Sequence, residues 1–219
     1  VANNSAWDGG GLFIENARFY NNTVVYNNAT RDVGAGGLTQ WKTYGLDAYL
    51  SIYNCLFYGN AKVAVRSTSE SNFEEAYNCY VQTATDLTTG ISSKFKDSKY
   101  GIGLENPFAQ GSNAQTLNNY RLKSSSWCVN NGTEKFDLPS TDVDFTNRIK
   151  DCAVDIGAYE LDNDENIKYT YSNDGVGTYY VTQNGAGLRS GADPENAACA
   201  MKLQDILTDA GEKVVAGTL

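Results

Sequence analysis

Short apolar or aromatic runs recur along this chain between corners rich in Asn and Gly. Asn22-Thr23-Val24-Val25-Tyr26-Asn27-Asn28-Ala29 aligns with Asn54-Cys55-Leu56-Phe57-Tyr58-Gly59-Asn60-Ala61 at an offset of 32. Tyr77-Asn78-Cys79-Tyr80-Val81 echoes Tyr53-Asn54-Cys55-Leu56-Phe57 after 24 residues. The clusters Gly9-Gly10-Gly11 and Gly36-Gly37 precede the apolar starts Leu12-Phe13-Ile14 and Leu38. An interval in the twenties suits a coil of short parallel strands, each repeat forming one turn that stacks on the next at about 4.8 Å. Val24, Leu56 and Tyr80 would then form a ladder inside the coil. Asn at equivalent corners tolerates left-handed geometry and satisfies backbone groups. The longer interval implies a surface loop inserted near residues 41–46. A β-sandwich also has short strands with polar turns, so periodicity alone leaves both architectures open.

Residues 86–119 are less regular, with corners at 86–90 and 97–103 and a loop over 107–115. Patterning returns between Asn119 and Glu160. Residues 162–175 read as a polar connection with strand potential at 167–171, and residues 178–182 as a strand. A helix is expected over 194–210: Asp193 caps it, Pro194 suits its first turn and Gly211 its end. Ala197, Met201, Leu203, Ile206, Leu207 and Ala210 give it one apolar face.

Composition narrows the chemistry. The 219 residues hold 17 Lys and Arg against 26 Asp and Glu, for a net charge of −9, with no His. An acidic chain gives no electrostatic reason to bind nucleic acid or an anionic membrane. Without imidazole, no Ser-His-Asp or Cys-His centre and no His-bearing zinc site can form. Carboxylates, Lys, Arg and Tyr remain as catalytic possibilities. Charged residues at 20% and hydrophobic residues at 41% argue against wholesale disorder, and 15 Tyr with one Met favour strands. No run approaches the 18 apolar residues of a membrane span. The start, VANNSAWDGGG, has neither an initiator Met nor a signal peptide, as expected of a piece of a longer polypeptide.

Asn119-Tyr120-Arg121-Leu122, then Ser126-Trp127-Cys128-Val129-Asn130-Asn131-Gly132, resembles the closing region of bacterial right-handed parallel β-helix repeat proteins. Their phrase runs Tyr-x-Leu and then Ser-Pro-Cys-Ile-Asp-x-Gly. Leu138-Pro139-Ser140-Thr141-Asp142-Val143-Asp144-Phe145-Thr146-Asn147-Arg148-Ile149 is similar to their Leu-Pro-x-Thr-Asp-Leu-Asp-Gly-Asn-x-Arg segment, and Val154-Asp155-Ile156-Gly157-Ala158-Tyr159-Glu160 to their terminal phrase. Trp127 stands where Pro is common, and Phe145-Thr146 replaces a Gly-Asn turn. The resemblance covers 119–160 well and 9–160 loosely. It implies an all-β, right-handed parallel β-helix (a pectate-lyase-like solenoid) over 1–160. Residues 161–219 would be a linker, strand and capping helix, or the start of a second repeat domain. The family includes secreted and surface-associated proteins of the polymorphic-outer-membrane-like and choice-of-anchor types. It fixes no activity, since lyases, hydrolases and adhesins share the coil.

Candidate sites follow. Cys128, Asp142, Asp144, Arg148, Asp155 and Glu160 belong to the closing motif, where Asp142 and Asp144 suit backbone hydrogen bonds in a turn with Arg148 paired to one of them. Asp142, Asp144 and Asp155 invite a calcium reading, but the full Asp-x-Asp-x-Asp-Gly pattern is missing. Among the aromatic residues, Trp41, Tyr44 and Tyr49 are the candidates for stacking on sugar rings. Lys62, Arg66, Glu74 and Glu75 are the weak catalytic candidates, their default being a charged surface. Cys55 and Cys79, like Cys128 and Cys152, lie 24 apart, and a Cys128–Cys152 disulfide is the stronger candidate; stacked free thiols are equally natural. Asn-x-Ser/Thr sequons at Asn3, Asn21, Asn28 and Asn131 follow from the Asn-rich corners, and the two Gly-x-Gly pairs lack the context of a nucleotide loop.

The functional expectation is a non-catalytic module of a secreted or cell-surface bacterial protein, serving adhesion, glycan contact or spacing. The alternative is a fragment of a polysaccharide lyase or glycoside hydrolase whose site lies largely elsewhere. Expected partners are a polysaccharide or host glycan, and another copy of the chain through the coil end or C-terminal helix.

Overall fold

In the computed structural model, residues 1–32, 34–43, 48–67, 73–81, 88–89, 99–100, 105–136, 138–150, 153–161, 180–183, 194 and 197–200 are described. The chain divides into two compact units, residues 1–148 with 154–161, and residues 149–153 with 162–219.

The larger unit is all-β and solenoid-like. Its strands are β1 (Ser5–Ala6), β2 (Leu12–Ile14), β3 (Ala17–Tyr20), β4 (Thr23–Val25), β5 (Asn28–Ala29), β6 (Ala35–Gln40), β7 (Leu50–Tyr53), β8 (Leu56–Tyr58), β9 (Val63–Ser67), β10 (Phe73–Ala76), β11 (Cys79–Val81), β12 (Thr88–Thr89) and β13 (Lys99–Tyr100). From β2 to β11 the chain visits three sheets in the same order on each of three rounds. The first holds β2, β6, β9 and β12, the second β3, β7 and β10, and the third β4, β8, β11 and β13. Every strand pair in them is parallel.

The repeat is real, but its register differs by one residue from the sequence alignment. Val24 pairs with Phe57, not Leu56, and Phe57 with Tyr80, while Cys79 pairs with Leu56 rather than Cys55. The offsets are therefore 33 and 23. A one-residue slip moves every side chain to the opposite face, so the correction changes the core. Val24, Phe57 and Tyr80 point inward with Leu38, Leu50, Ile52 and Val65 from the other sheets, and the Phe57 and Tyr80 rings stack at 5.1 Å. Left-handed corners set this register: Asn21, Asn54 and Tyr77 occupy equivalent positions at φ 49°, 54° and 54°, as do Tyr26 and Gly59 at 53° and 60°. Asn side chains brace the stack. Asn60 accepts from the Asn27 amide at 3.0 Å and donates to the Val24 carbonyl at 2.7 Å. Gly36 and Gly37 let successive turns approach closely, since a Cβ on either would lie 2.2 Å from the Ala61 or Ala64 carbonyl oxygen.

The inserted loop stands where the sequence places it. Two residues separate Ile14 from Ala17, whereas nine separate Gln40 from Leu50, an excess of seven that equals the difference between the 33-residue offset and the 26-residue offset of Leu12 and Leu38.

The described residues of 105–148 and 154–161 depart from the expected coil over 9–160. Apart from one turn of helix, α1 (Ala114–Leu117), preceded by a 3-10 turn, they are irregular and do not extend the stack. They cover the outer face of the third sheet instead. Val25, Leu56 and Cys79 on that face pack with Phe108, Tyr120, Leu122, Cys128 and Ile156. The reason lies in β4 and β8 of the third sheet, which bury side chains on both faces and need a second layer.

In the smaller unit, β14 (Val181–Thr182) pairs in parallel with β15 (Ala198–Cys199). This strand replaces the beginning of the helix expected over 194–210: the Ala198 N–H donates to the Tyr180 carbonyl, and residues 197–199 are buried. The remainder of that expected helix, and the strand expected at 167–171, lie outside the described residues.

Candidate functional site: an aromatic concavity on the first sheet

The outward row of the first sheet begins with Phe13, Thr39 and Arg66, paired in register on β2, β6 and β9. The segment before β2 folds over this row and seats Asp8 on it. The side chain of Asp8 is only 5% exposed, and four donors satisfy it. Oδ1 accepts from the Gly9 amide at 2.9 Å and the Thr39 hydroxyl at 2.8 Å. Oδ2 accepts from Nη1 of Arg31 and Nη1 of Arg66, each at 3.1 Å. Burial alone would raise this carboxyl; the Thr39 and Gly9 hydrogen bonds and the two guanidiniums outweigh it and hold the pKa below the ordinary carboxylate value.

Arg31 reaches Asp8 because β5 pairs with β1 and the pairing continues: the Thr30 and Arg31 amides donate to the Ala6 and Trp7 carbonyls at 2.9 and 2.8 Å. Its guanidinium carbon lies 4.8 Å from the Trp7 ring centroid, a cation–π contact. Trp41 enters at the first residue of the inserted loop, held by its amide to the Ile14 carbonyl at 2.8 Å, and its ring stacks on Phe13 at 6.4 Å and 23°. Trp7, Asp8, Phe13, Arg31 and Trp41 line a cavity of about 360 Å³. Its three aromatic residues are 68%, 56% and 41% exposed for Trp7, Phe13 and Trp41, so apolar rings face solvent around a neutralised carboxylate. Such an arrangement can stack flat apolar faces and supply a few fixed donors.

The sequence-expected residues fall in several places. Trp41 lines the cavity. Tyr49 is 47% exposed, on the approach to β7, and does not line it; Tyr44 lies outside the described residues. Arg66 anchors Asp8. The ammonium of Lys62 donates to the Thr30 and Arg31 carbonyls and lies 3.9 Å from Asp32. Glu74 and Glu75 lie on the second sheet and face opposite ways: exposed Glu74 accepts from the Tyr53 hydroxyl at 3.3 Å, and buried Glu75 accepts from Asn78 and Tyr80 at 2.8 and 3.2 Å. Trp7, Asp8, Phe13 and Arg31 were not singled out in the sequence. The signal for them was Trp7-Asp8 directly before a glycine cluster and an apolar strand start.

The closing motif forms a polar brace rather than an ion site. Asp142 Oδ1 accepts from the Asp144 and Thr146 amides and the Thr146 hydroxyl at 2.9–3.0 Å, and Oδ2 from the Glu160 amide at 3.0 Å. Asp155 takes the Asn130 and Leu161 amides at 2.6 and 2.7 Å. These carboxylates are therefore filled by N–H and O–H donors, which is the physical objection to the calcium reading. Among the described residues, no group of three or more Cys, Asp or Glu side chains is placed to hold a metal. The expected pairing of Arg148 with Asp142 or Asp144 is corrected: Arg148 bonds Glu160 at 3.0 Å, while Asp144 is held by Arg121 through two hydrogen bonds at 2.7 and 3.0 Å. Burial, reinforced by the Asp155 charge, pushes Glu160 up to about 8 against the pull of Arg148.

The expected Cys128–Cys152 disulfide is also corrected. Cys128 is a free, buried thiol whose side-chain neighbour is Cys79, because its segment lies against the third sheet. Burial, with Cys79 beside it, pushes the Cys128 thiol well up. Cys152 lies outside the described residues, and Cys199 is disulfide-bonded. No protein-family model matches the chain, and no curated protein or solved structure matches it either.

Proposed function

We propose that the chain is a non-catalytic, glycan-binding module of a secreted or cell-surface bacterial protein, built on a right-handed parallel β-helix. The exposed Trp7, Phe13 and Trp41 gathered around one cavity carry this reading. Three parallel sheets visited in constant order support the coil, and the closing phrase supports the family. The weak catalytic candidates are spread over two sheets, and the one nearest the cavity, Arg66, is committed to Asp8, so binding is the better use of this surface. Among the described residues no helix is long and apolar enough to cross a membrane.

The test is a glycan array with the chain, followed by calorimetry on any hit. The reading predicts that Trp7→Ala and Trp41→Ala each weaken binding about tenfold or more, with an unchanged melting temperature because both rings face solvent. Equal binding by wild type and both variants would contradict it, as would no binding to any glycan at millimolar concentration.

A further inference from the structure

We infer that the concavity selects a carboxylate-bearing sugar, a hexuronate unit of an acidic polysaccharide, with Arg31 as the residue that reads its charge. This rests on the glycan-binding reading and narrows it. Asp8 cannot serve the ligand as an acceptor, because both its oxygens are already filled by the Gly9, Thr39, Arg31 and Arg66 donors. Two guanidiniums share that one carboxylate, so the cluster keeps a net charge of about +1 by count of its side chains. That cationic spot lies on a chain whose net charge is −9, so it is not part of a generally basic surface.

The donors left over belong to the residue that lines the cavity. Arg31 commits Nη1 to Asp8 and its face to Trp7, and among the described residues no acceptor takes its Nε or Nη2. Its side chain is partly exposed, whereas Arg66 lies deeper and supports Asp8 from behind. Asp8 and Trp7 thus fix the guanidinium in place before any ligand arrives, which lowers the entropy lost on binding. A fixed guanidinium edge beside the stacked Phe13 and Trp41 rings matches a sugar that offers an apolar ring face and a planar carboxylate together. A neutral hexose would use the rings but leave the Arg31 donors to water.

The experiment uses tetrasaccharides of galacturonate, glucuronate and mannuronate, each beside its carboxyl-reduced neutral counterpart. The expected result is binding of at least one acidic form, about tenfold or more tighter than its reduced counterpart, and weakening with added salt. Arg31→Gln should bring the acidic form down to the level of the neutral one, whereas Trp41→Ala should weaken both. Arg31→Lys, which keeps the charge but loses the planar fork, should fall between. Circular dichroism melts establish that each variant is folded. Equal binding of acidic and reduced forms, or no effect of Arg31→Gln in a folded variant, overturns the inference; Trp41→Ala sensitivity would then leave the glycan reading standing. No binding of either form overturns the inference, and silence across the wider array overturns the glycan reading as well.

Discussion

The stacked strands between Leu12 and Val81 and the irregular residues of 105–148 and 154–161 share one unit, yet they are held by different forces. The strands place like beside like: Val24, Phe57 and Tyr80 stack in one inward row, and each turn needs only an apolar side chain of fitting size there. The irregular residues have no repeat to lean on. Beyond their contacts with the third sheet, they rely on buried carboxylates that each collect several N–H donors, as Asp142 and Asp155 do. A stack of this kind tolerates inserted residues between strands, because the ladder on either side is unaffected. The concavity uses that tolerance: Arg31 follows β5 in the long connection from β4 to β6, and Trp41 opens the long connection from β6 to β7.

Breaking each region by its own means should separate the two. The largest effect is expected from Phe57→Ala, which removes a fully buried ring from the centre of the ladder and should cost about 3–5 kcal/mol in denaturant unfolding. Asp142→Ala should cost less, about 2–3 kcal/mol, since the Glu160 amide is left unpaired in a buried place while the Asp144 and Thr146 amides can reach water. A larger loss for Asp142→Ala than for Phe57→Ala would invert the comparison.

The pH dependence carries two signs. Asp8 and Asp142 have pKa values held below the ordinary 3.8, so their contribution is present above that value and is lost as pH falls through their folded-state values. Glu160 lies at about 8 against an ordinary 4.5, so its contribution is full below 4.5 and is lost as pH rises toward 8. Melting temperature should therefore fall at strongly acid pH and decline between 4.5 and 8, and Glu160→Gln should flatten the second slope. A profile that is flat from 4.5 to 8 and falls only below 4.5 would place Glu160 as a permanent carboxylate locked to Arg148.

The Asn corners and the insertion after Gln40 were legible because they leave marks in spacing, whereas parallel pairing needed the closing phrases as well. The register was not. Asn22 and Asn54 align as readily as Asn21 and Asn54 by residue type, and only the left-handed backbone at Asn21, Asn54 and Tyr77 decides between them. Tyr gives no warning of that conformation. The closing phrases announced a motif without announcing where it packs; the cue was apolar character on both faces of β4 and β8. In the smaller unit, Ala198 and Cys199 lie inside the helix expected over 194–210, but pairing with Val181 and Thr182 prevails, which no local pattern contains. Trp41 was legible as an aromatic residue beside a Tyr-rich stretch. Trp7, Asp8 and Arg31 come together only through the β1–β5 pairing, between segments too short to read as strands.

The central claim is that the exposed rings around Asp8 and Arg31 form the binding surface, and the chain's three tryptophans allow a direct test. Trp7 and Trp41 line the concavity, while Trp127 packs against the cluster beneath residues 105–148 and 154–161. Indole N–H signals recorded by ¹H–¹⁵N NMR during titration with a binding glycan should shift for Trp7 and Trp41 and stay fixed for Trp127. A titration in which Trp7 and Trp41 stay still while binding saturates would contradict the account.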